Sequence, residues 1–464
     1  MPDINDNDIK KLNLIRPNIR LLAIFGLLIR DLTPWKQTLR RCGVYLFIVA
    51  AFFNIVSQTI EACRVTDARL MSEGGLWVIF GVKGVTKVIT IFYYEDEIWK
   101  LINIFEENIF KNAHLLTSTE KKSAKESLNF SKRMLSYTLA ASLLSNGTLA
   151  LDILPPSEEG LQALEAASAP DWNSPTKYAA PFKGMRNRYW YNRVGYIFSM
   201  SYLTYYPMMF IYSFNCQLIM YLATHFAILS DSLENAARNV QEMMKRSTST
   251  SSLQVFSTNE NMKEEIMTSL DREMSSKDNL EMTEDCAVRD QRFDEEMYKY
   301  LLERTKQHQE YLLLFHRLNK ITRVVVFTDI LGAAVYIAAC LMGMAEIHET
   351  YEVLEFGFLL MFAVVELGVF CWVGNYLTTQ TERVGAAAYA SLWYVQSTKY
   401  QRHLQLVIMR SQRPLKLSVG PFGVVSLELF AKIMNTAYTY YTLMREFVSP
   451  KKEEAGERHH ERSE

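Results

Sequence analysis

Residues 194–230 read VGYIFSMSYLTYYPMMFIYSFNCQLIMYLATHFAILS, from Val194 to Ser230 without one Asp, Glu, Lys or Arg. A helix rises about 1.5 Å per residue, so about 20 apolar residues cross a hydrocarbon core of about 30 Å, and this run has length to spare. Outward from it, residues 42–60 and 134–151 are also free of charge, and 330–345 and 357–381 are apolar with Glu366 alone interrupting the second. Two weaker stretches complete the set: 74–94, which carries Lys83 and Lys87, and 424–444, which carries Glu428 and Lys432. The competing reading, core helices of a soluble all-α domain, would have to solvate three long uncharged runs. The chain is therefore predicted to be an all-α membrane protein with seven transmembrane helices.

Composition alone hides this. The 464 residues hold 50 Lys plus Arg against 51 Asp plus Glu, a net charge of −1, with 49% hydrophobic residues and a mean hydropathy of −0.05. A balanced charge provides no field for a polyanion, so no nucleic-acid partner is expected. Only 19 Gly and 12 Pro, and no internal repeat, argue against a solenoid or a linker-rich fibre.

Basic residues near span ends orient the chain, because they tend to stay cytoplasmic. Arg30, Lys36, Arg40 and Arg41 precede the first span. Between the fifth and sixth lie Glu346, Glu349, Glu352 and Glu355, with no Lys or Arg anywhere in 324–382. Between the sixth and seventh, Arg383, Lys399, Arg402, Arg410, Arg413 and Lys416 face the single acid Glu382. All three agree with seven spans, a cytoplasmic N-terminus and an extracellular C-terminus, the reverse of a metabotropic seven-helix receptor. No signal peptide is expected from the polar residues 1–20.

The organisation follows. Residues 1–41 form a cytosolic segment whose apolar stretch 21–29 is expected to be a short interfacial amphipathic helix. Residues 42–447 form the membrane domain, with a proline-rich extracellular loop at 152–190 and a cytosolic loop at 235–320. Within that loop an insert at about 246–296 begins with a Ser/Thr run at 247–252. Its stretch 259–296 has 13 acids against 5 bases, so the insert is expected to be disordered. Residues 448–464 form a charged extracellular tail.

Six cysteines without CxxC spacing fall mostly in apolar spans and are expected to be free, Cys63 and Cys340 being the one conceivable pair. No HExxH, G-x-S-x-G or Walker A sequence occurs, so neither catalysis nor a metal or cofactor is expected. His308 and His316 are expected on a solvated cytosolic helix face.

The last span carries the most informative pattern. After Gly420-Pro421-Phe422-Gly423, Ser426 is placed to cap a helix running through Phe447. Along it Glu428, Lys432, Asn435, Thr439, Thr442 and Glu446 recur at helical spacing and form one polar stripe. A charge facing lipid at mid-depth costs about 2.5–3.5 kcal/mol, so the stripe should meet protein or water. Two readings stay open: Glu428 and Lys432 neutralise each other against packed helices while the threonines bond between helices, or the stripe lines a pore. Thr436, Tyr440, Leu443 and Phe447 make the adjacent stripe, so the pore candidates are Thr436, Thr439, Tyr440, Leu443, Glu446 and Phe447.

The C-terminal third resembles the insect odorant receptors. The resemblance rests on Ala388-Tyr389 with Trp393-Tyr394, Met409-Arg410 with Gln412-Arg413-Pro414-Leu415, Gly420-Pro421-Phe422, Leu427-Glu428-Leu429-Phe430 and Tyr438-Thr439-Tyr440-Tyr441-Thr442-Leu443. Gln307-His308-Gln309 and the stretch 222–229 match more loosely. The family implies an odorant-gated, non-selective cation channel in the plasma membrane of a sensory-neuron dendrite. It also implies a heterotetramer with co-receptor subunits, a pore lined by the last helix, and a central anchor from the cytosolic ends of the fourth to seventh helices. Those ends lie here near 230–234, 308–320, 385–413 and from 426. Tyr440-Tyr441-Thr442-Leu443 is similar to the ending of an odour-tuning subunit rather than of the co-receptor. Cys216, where many members carry an acid, and the long insert and tail depart from the pattern. A gustatory receptor of the same architecture is the nearest alternative.

A volatile ligand is small and mostly apolar and would bind in an enclosed aromatic cavity. The resemblance puts that cavity in the outer half of the bundle. The candidates there are Trp77, Phe80, Leu144, Gly147, Leu151, Tyr202, Tyr206, Phe356 and Leu360, with membrane lipid as the competing neighbour of each.

Overall fold

The computed structural model describes residues 15–30, 33–64, 68–107, the helical residues 120–122, 124–126, 128–130, 132–133, 135–137 and 139–140, then 206–245, 281–346, 350–420 and 423–460. Among them the secondary structure is helical, apart from one isolated antiparallel bridge between Ser418 and Val424. Leu144, Gly147, Leu151, Tyr202, most of the third expected span and the loop 152–190 lie outside the described residues.

Helix α1 spans Ile15–Ala23 and the chain then leaves helical geometry, with Gly26 at φ 74° and Leu28 at φ 54°. The helix expected over 21–29 is thus displaced toward the N-terminus. Nor is the segment interfacial: Leu22, Phe25, Leu27 and Leu28 are buried, and Asn18 donates to Gln217 Oε1 at 3.0 Å. Seating four large apolar residues inside the bundle outweighs keeping them at a lipid surface.

Helix α2 (Pro34–Arg64) opens on a proline, which the first turn tolerates because its N–H would be unpaired there anyway. It buries a narrow stripe, Val44, Ala51 and Gln58, and leaves Leu46, Val49, Phe52 and Phe53 exposed, as a helix at the rim of a membrane bundle should. Helix α3 (Ala68–Tyr93) and the short α4 (Glu95–Phe105) follow, nearly continuous with each other.

Helix α5 (Tyr206–Glu234) buries every residue from Pro207 to Leu233. Residues 206–230 of the opening run lie in this helix, which forms the axis of the bundle, enclosed by α1, α3 and the helices below. Residues 236–245 continue it.

Helix α6 (Glu281–Glu346) is 66 residues long, and α7 (Thr350–Ala390) 41. The helical start of α6 at Glu281 corrects the expected disorder of 246–296 over its last part, while 246–280 lie outside the described residues. A 3₁₀ turn at Trp393–Val395 leads to α8 (Thr398–Ser411), and α9 (Leu427–His460) ends the described chain. Ser426 caps α9 by accepting from Leu429 N at 3.2 Å, and the helix runs on past Phe447 into the expected tail.

The turn before α9 is tight: Gly420 and Gly423 both adopt positive φ, and Val419 and Gly423 pair through their backbones at 2.9 Å. It places Val425 against α7 so closely that a Cβ on Gly374 would sit 2.5 Å from Val425 Cγ1. Gly374→Ala is expected to destabilise the purified protein by about 1–3 kcal/mol, the usual cost of overpacking, read as a lowered melting temperature in detergent. An unchanged melting point would show that the turn yields freely.

Charge layer, candidate pocket and last helix

The buried charges of α3, α6 and α7 meet one another. Lys83 and Lys87 stand one turn apart on α3 and point at Asp329 of α6 and Glu366 of α7. Lys83 Nζ lies 3.2 Å from Glu366 Oε2 and 3.8 Å from Asp329 Oδ1, and Lys87 Nζ lies 2.8 Å from Asp329 Oδ1. The four side chains are between 0% and 8% exposed. Two elements of α5 close the group: Lys87 donates to Met208 O at 3.4 Å, and the Tyr212 hydroxyl donates to Glu366 O at 2.7 Å. Lys83 sits ten residues from the end of α3, about 15 Å along the helix axis. Single buried charges are costly, and this arrangement is tolerated because two positive and two negative groups cancel within one contact network.

By sequence alone Lys83 and Lys87 weaken the second expected span and Glu366 interrupts the sixth, while Asp329 stands unremarked just before the fifth. The available signal was arithmetic: two lysines at i and i+4 in one apolar span and one carboxylate in or next to each of two others sum to zero.

The charge layer is continuous with candidate pocket residues along one face of α6. Asp329, Gly332, Tyr336, Cys340 and Gly343 recur at steps of three and four. Gly332 passes the Lys83 stem, where a Cβ would lie 2.8 Å from Cδ. Tyr336 meets Phe80 edge-to-face at 4.8 Å between centroids, and Gly343 receives the Phe356 ring, which a Cβ would approach to 2.4 Å. Phe80 and Phe356 are therefore brought to the same face of α6, Phe80 beside Tyr336, which the sequence does not single out, and Phe356 two turns further on at Gly343. Leu360 is partly buried against the core. Tyr206 stacks on Phe210 at 5.9 Å, and Phe210 in turn meets Phe25 of the N-terminal segment. The Trp77 side chain lies outside the described residues.

On α9 the inward face is Ile433 and Ala437, both buried. Glu428, Lys432, Asn435, Thr436, Thr439, Tyr440 and Leu443 are exposed, and the Glu446 and Phe447 side chains are outside the described residues. Glu428 and Lys432 do pair, at 2.7 Å, yet they remain 75% and 69% exposed, so packing within the chain does not cover them. The threonines bond along their own helix rather than across to another: Thr436 to Lys432 O, Thr439 to Asn435 O and Thr442 to Thr439 O.

At the other end of the bundle, Arg383 of α7 pairs with Asp231 of α5 at 2.7 Å, His403 of α8 meets Thr305 Oγ1 of α6 at 3.1 Å, and Ser418 N donates to Asn319 Oδ1 at 3.1 Å. His308 belongs here and corrects an expectation. It is 5% exposed, edge-on to Phe226, and not on a solvated face; His316 is exposed as expected. Cys63 and Cys340 are both free, one exposed and the other buried.

The family model of the 7tm odorant receptor matches residues 73–438. The chain belongs to the insect odorant receptor family. Among curated relatives, this odorant receptor is 29% identical over 153 residues to putative odorant receptor 92a of Drosophila melanogaster and 26% identical over 149 residues to odorant receptor Or2 of Anopheles gambiae. Those matches take in 33% and 32% of this chain and only 37% and 39% of the relatives' own lengths. The odorant receptor coreceptor of Aedes aegypti matches over 85 residues at 32% identity, 18% of either chain. The structure of olfactory receptor OR5 from Machilis hrabei in complex with eugenol superposes with a TM-score of 0.69 at 13% identity, covering 95% of this chain and 100% of that one. At that identity the likeness concerns the fold, which is that of an all-helical membrane protein.

Burial, and secondarily the charge of Arg410, push the His308 imidazole of this odorant receptor down to about 4 from 6.5. The folded state thus holds it neutral while the unfolded chain protonates at about pH 6.5. The contribution is fully present above that value and lost progressively as pH falls toward about 4. Lowering the pH from about 7 to about 5 is expected to cost about 1–2 kcal/mol through this residue. His308→Gln should flatten that part of the melting-temperature profile of the purified receptor; an unaltered acid slope would place its origin elsewhere.

Proposed function

We propose that the chain is an odour-tuning subunit of a ligand-gated, non-selective cation channel, with seven spans, a cytoplasmic N-terminus and co-receptor partners in a heterotetramer of the plasma membrane. The observation that carries this reading is α9: a hydrophilic stripe through Glu428, Lys432, Asn435 and Thr439 that its own chain leaves open, on a helix held to α6 and α7 by Ile433 and Ala437. Polar groups at membrane depth need water or protein. An assembly around a common axis supplies water to this face of each protomer and makes Thr436, Thr439, Tyr440, Leu443, Glu446 and Phe447 pore candidates.

Assembly is supported at the opposite end, where Tyr389, Tyr394, Val395, Leu406 and Met409 are each more than 60% exposed around the junction of α7 and α8. Apolar groups clustered in this way mark contact with another chain. The ligand is a small volatile apolar molecule bound between Phe80, Tyr336 and Phe356, with Trp77, Leu144, Gly147, Leu151, Tyr202, Tyr206 and Leu360 as further candidates. The eugenol complex of OR5 supports a ligand of that size.

The test is expression with and without a co-receptor subunit, with currents recorded against an odour panel. Odour-evoked cation current only on co-expression, together with an N-terminal tag that antibodies reach only after permeabilisation, is the expected result. A tag stained on intact cells would overturn the orientation, and signalling without current would overturn the channel.

A further inference from the structure

Where the uncharged run of α2 begins, a cleft of about 640 Å³ opens between the segment after α1, the start of α2 and the junction of α3 with α4. Arg30, Arg40, Arg41, Glu95, Asp96 and Trp99 line it. Arg40 is committed to the frame: it grips Glu95 through two bonds of 2.7 and 2.8 Å and donates to Gly26 O at 3.2 Å. Arg30 and Arg41 are left over. The Arg30 guanidinium lies 4.8 Å over the Trp99 ring, and Arg41 makes no ion pair among the described residues. The Trp99 indole N–H is buried with no acceptor among the described residues. Three arginines against Glu95 and Asp96 leave the cleft one positive charge in excess.

Its surroundings identify the phase the ligand comes from. From Tyr45 on the cleft wall, the exposed residues Val49, Phe52 and Val56 continue up α2 at helical spacing, beside exposed Ile89 and Val82 of α3. The cleft is thus the polar end of a strip of exposed apolar residues on α2 and α3, with Tyr45 and Tyr93 exposed beside it, the kind of aromatic that collects at a membrane interface.

We propose that this cleft binds the headgroup of a phospholipid bearing one net negative charge, of the phosphatidylserine class, with its acyl chains along the apolar strip on α2 and α3. Arg30 and Arg41 take the phosphate and carboxylate, a match to the guanidinium fork, and Asp96 takes the ammonium. The excess charges of site and headgroup cancel. Placement in the cytoplasmic leaflet rests on the N-inside orientation proposed above; the site itself does not.

The test uses the full chain reconstituted into vesicles that are alike in both leaflets, so that a wrong orientation and a wrong site give different results. The vesicles are phosphatidylcholine alone, or with about one part in five phosphatidylserine. Native mass spectrometry after extraction is expected to find phosphatidylserine retained about tenfold over its share of the vesicle. Arg30→Gln with Arg41→Gln should abolish the enrichment, and Lys36→Gln, a charge outside the cleft, should keep it. Soluble phosphoserine, which lacks chains, should not raise the melting temperature as the lipid does. Equal retention by the double variant, equal loss in Lys36→Gln, or equal protection by phosphoserine each overturns the proposal. Asp96→Asn covers the case in which the double variant does not fold. It should shift preference from phosphatidylserine toward phosphatidylglycerol, which has no ammonium, and an unshifted preference again overturns it.

Discussion

Lys87→Met is expected to remove the receptor from the cell surface almost entirely, with a loss of about 3–5 kcal/mol in the stability of whatever protein can be purified. Lys87 is fully buried, and its loss would leave Asp329, 2.8 Å away, buried with only Lys83, 3.8 Å off, to oppose a charge there. Most of the penalty arises from that stranded carboxylate and not from the missing contact. The double variant Lys87→Met/Asp329→Leu removes one charge of each sign, leaves Lys83 with Glu366 at 3.2 Å, and should recover most of the lost surface staining. Comparing the two singles with the double isolates the coupling between the residues. Were the double no better than the singles, the four groups would not be acting as a neutral set.

The second large effect is expected on α9. Thr439→Lys puts a permanent positive charge on the exposed stripe and should reduce unitary cation conductance by about tenfold or more, with surface expression near that of wild type, while Thr439→Ser should conduct normally. Leu443→Ala, which trims an apolar side chain that is 49% exposed, should raise current in the absence of odorant if dewetting at that level closes the path. Normal conductance in Thr439→Lys channels that reach the surface would put the stripe away from the ions.

How much of this was legible beforehand varied with the kind of signal. The long apolar runs 42–60, 330–345 and 357–381 fall inside α2, α6 and α7, and 206–230 inside α5, because the cost of solvating such runs does not depend on neighbours. Local chemistry was also readable: Ser426 caps α9 directly after the Gly420–Gly423 break. Pairing across the bundle was not. Lys83 and Glu366 are 283 residues apart, and nothing local to either encodes the partner. The same blindness produced the error at His308, whose helix position is amphipathic by pattern but whose face is covered by Phe226 of α5. Candidate pocket residues were half legible for a related reason. Bulky aromatics in an outer half-span are easy to nominate, whereas the common face that joins Phe80 and Phe356 is set by small residues of α6, Gly332 and Gly343, which carry no hydrophobic signal.

The unbroken course of α6 has a mechanical corollary. Tyr336 beside Phe80 and Thr305 beside His403 are 31 residues apart on one helix, a lever arm of about 46 Å. A rod of that length pivoting by about 2° carries its far end about 1.6 Å, enough to break a hydrogen bond of 3.1 Å. A guest molecule that nudges one tip by less than its own bond lengths can therefore be felt at the other, with no hinge between to absorb the motion.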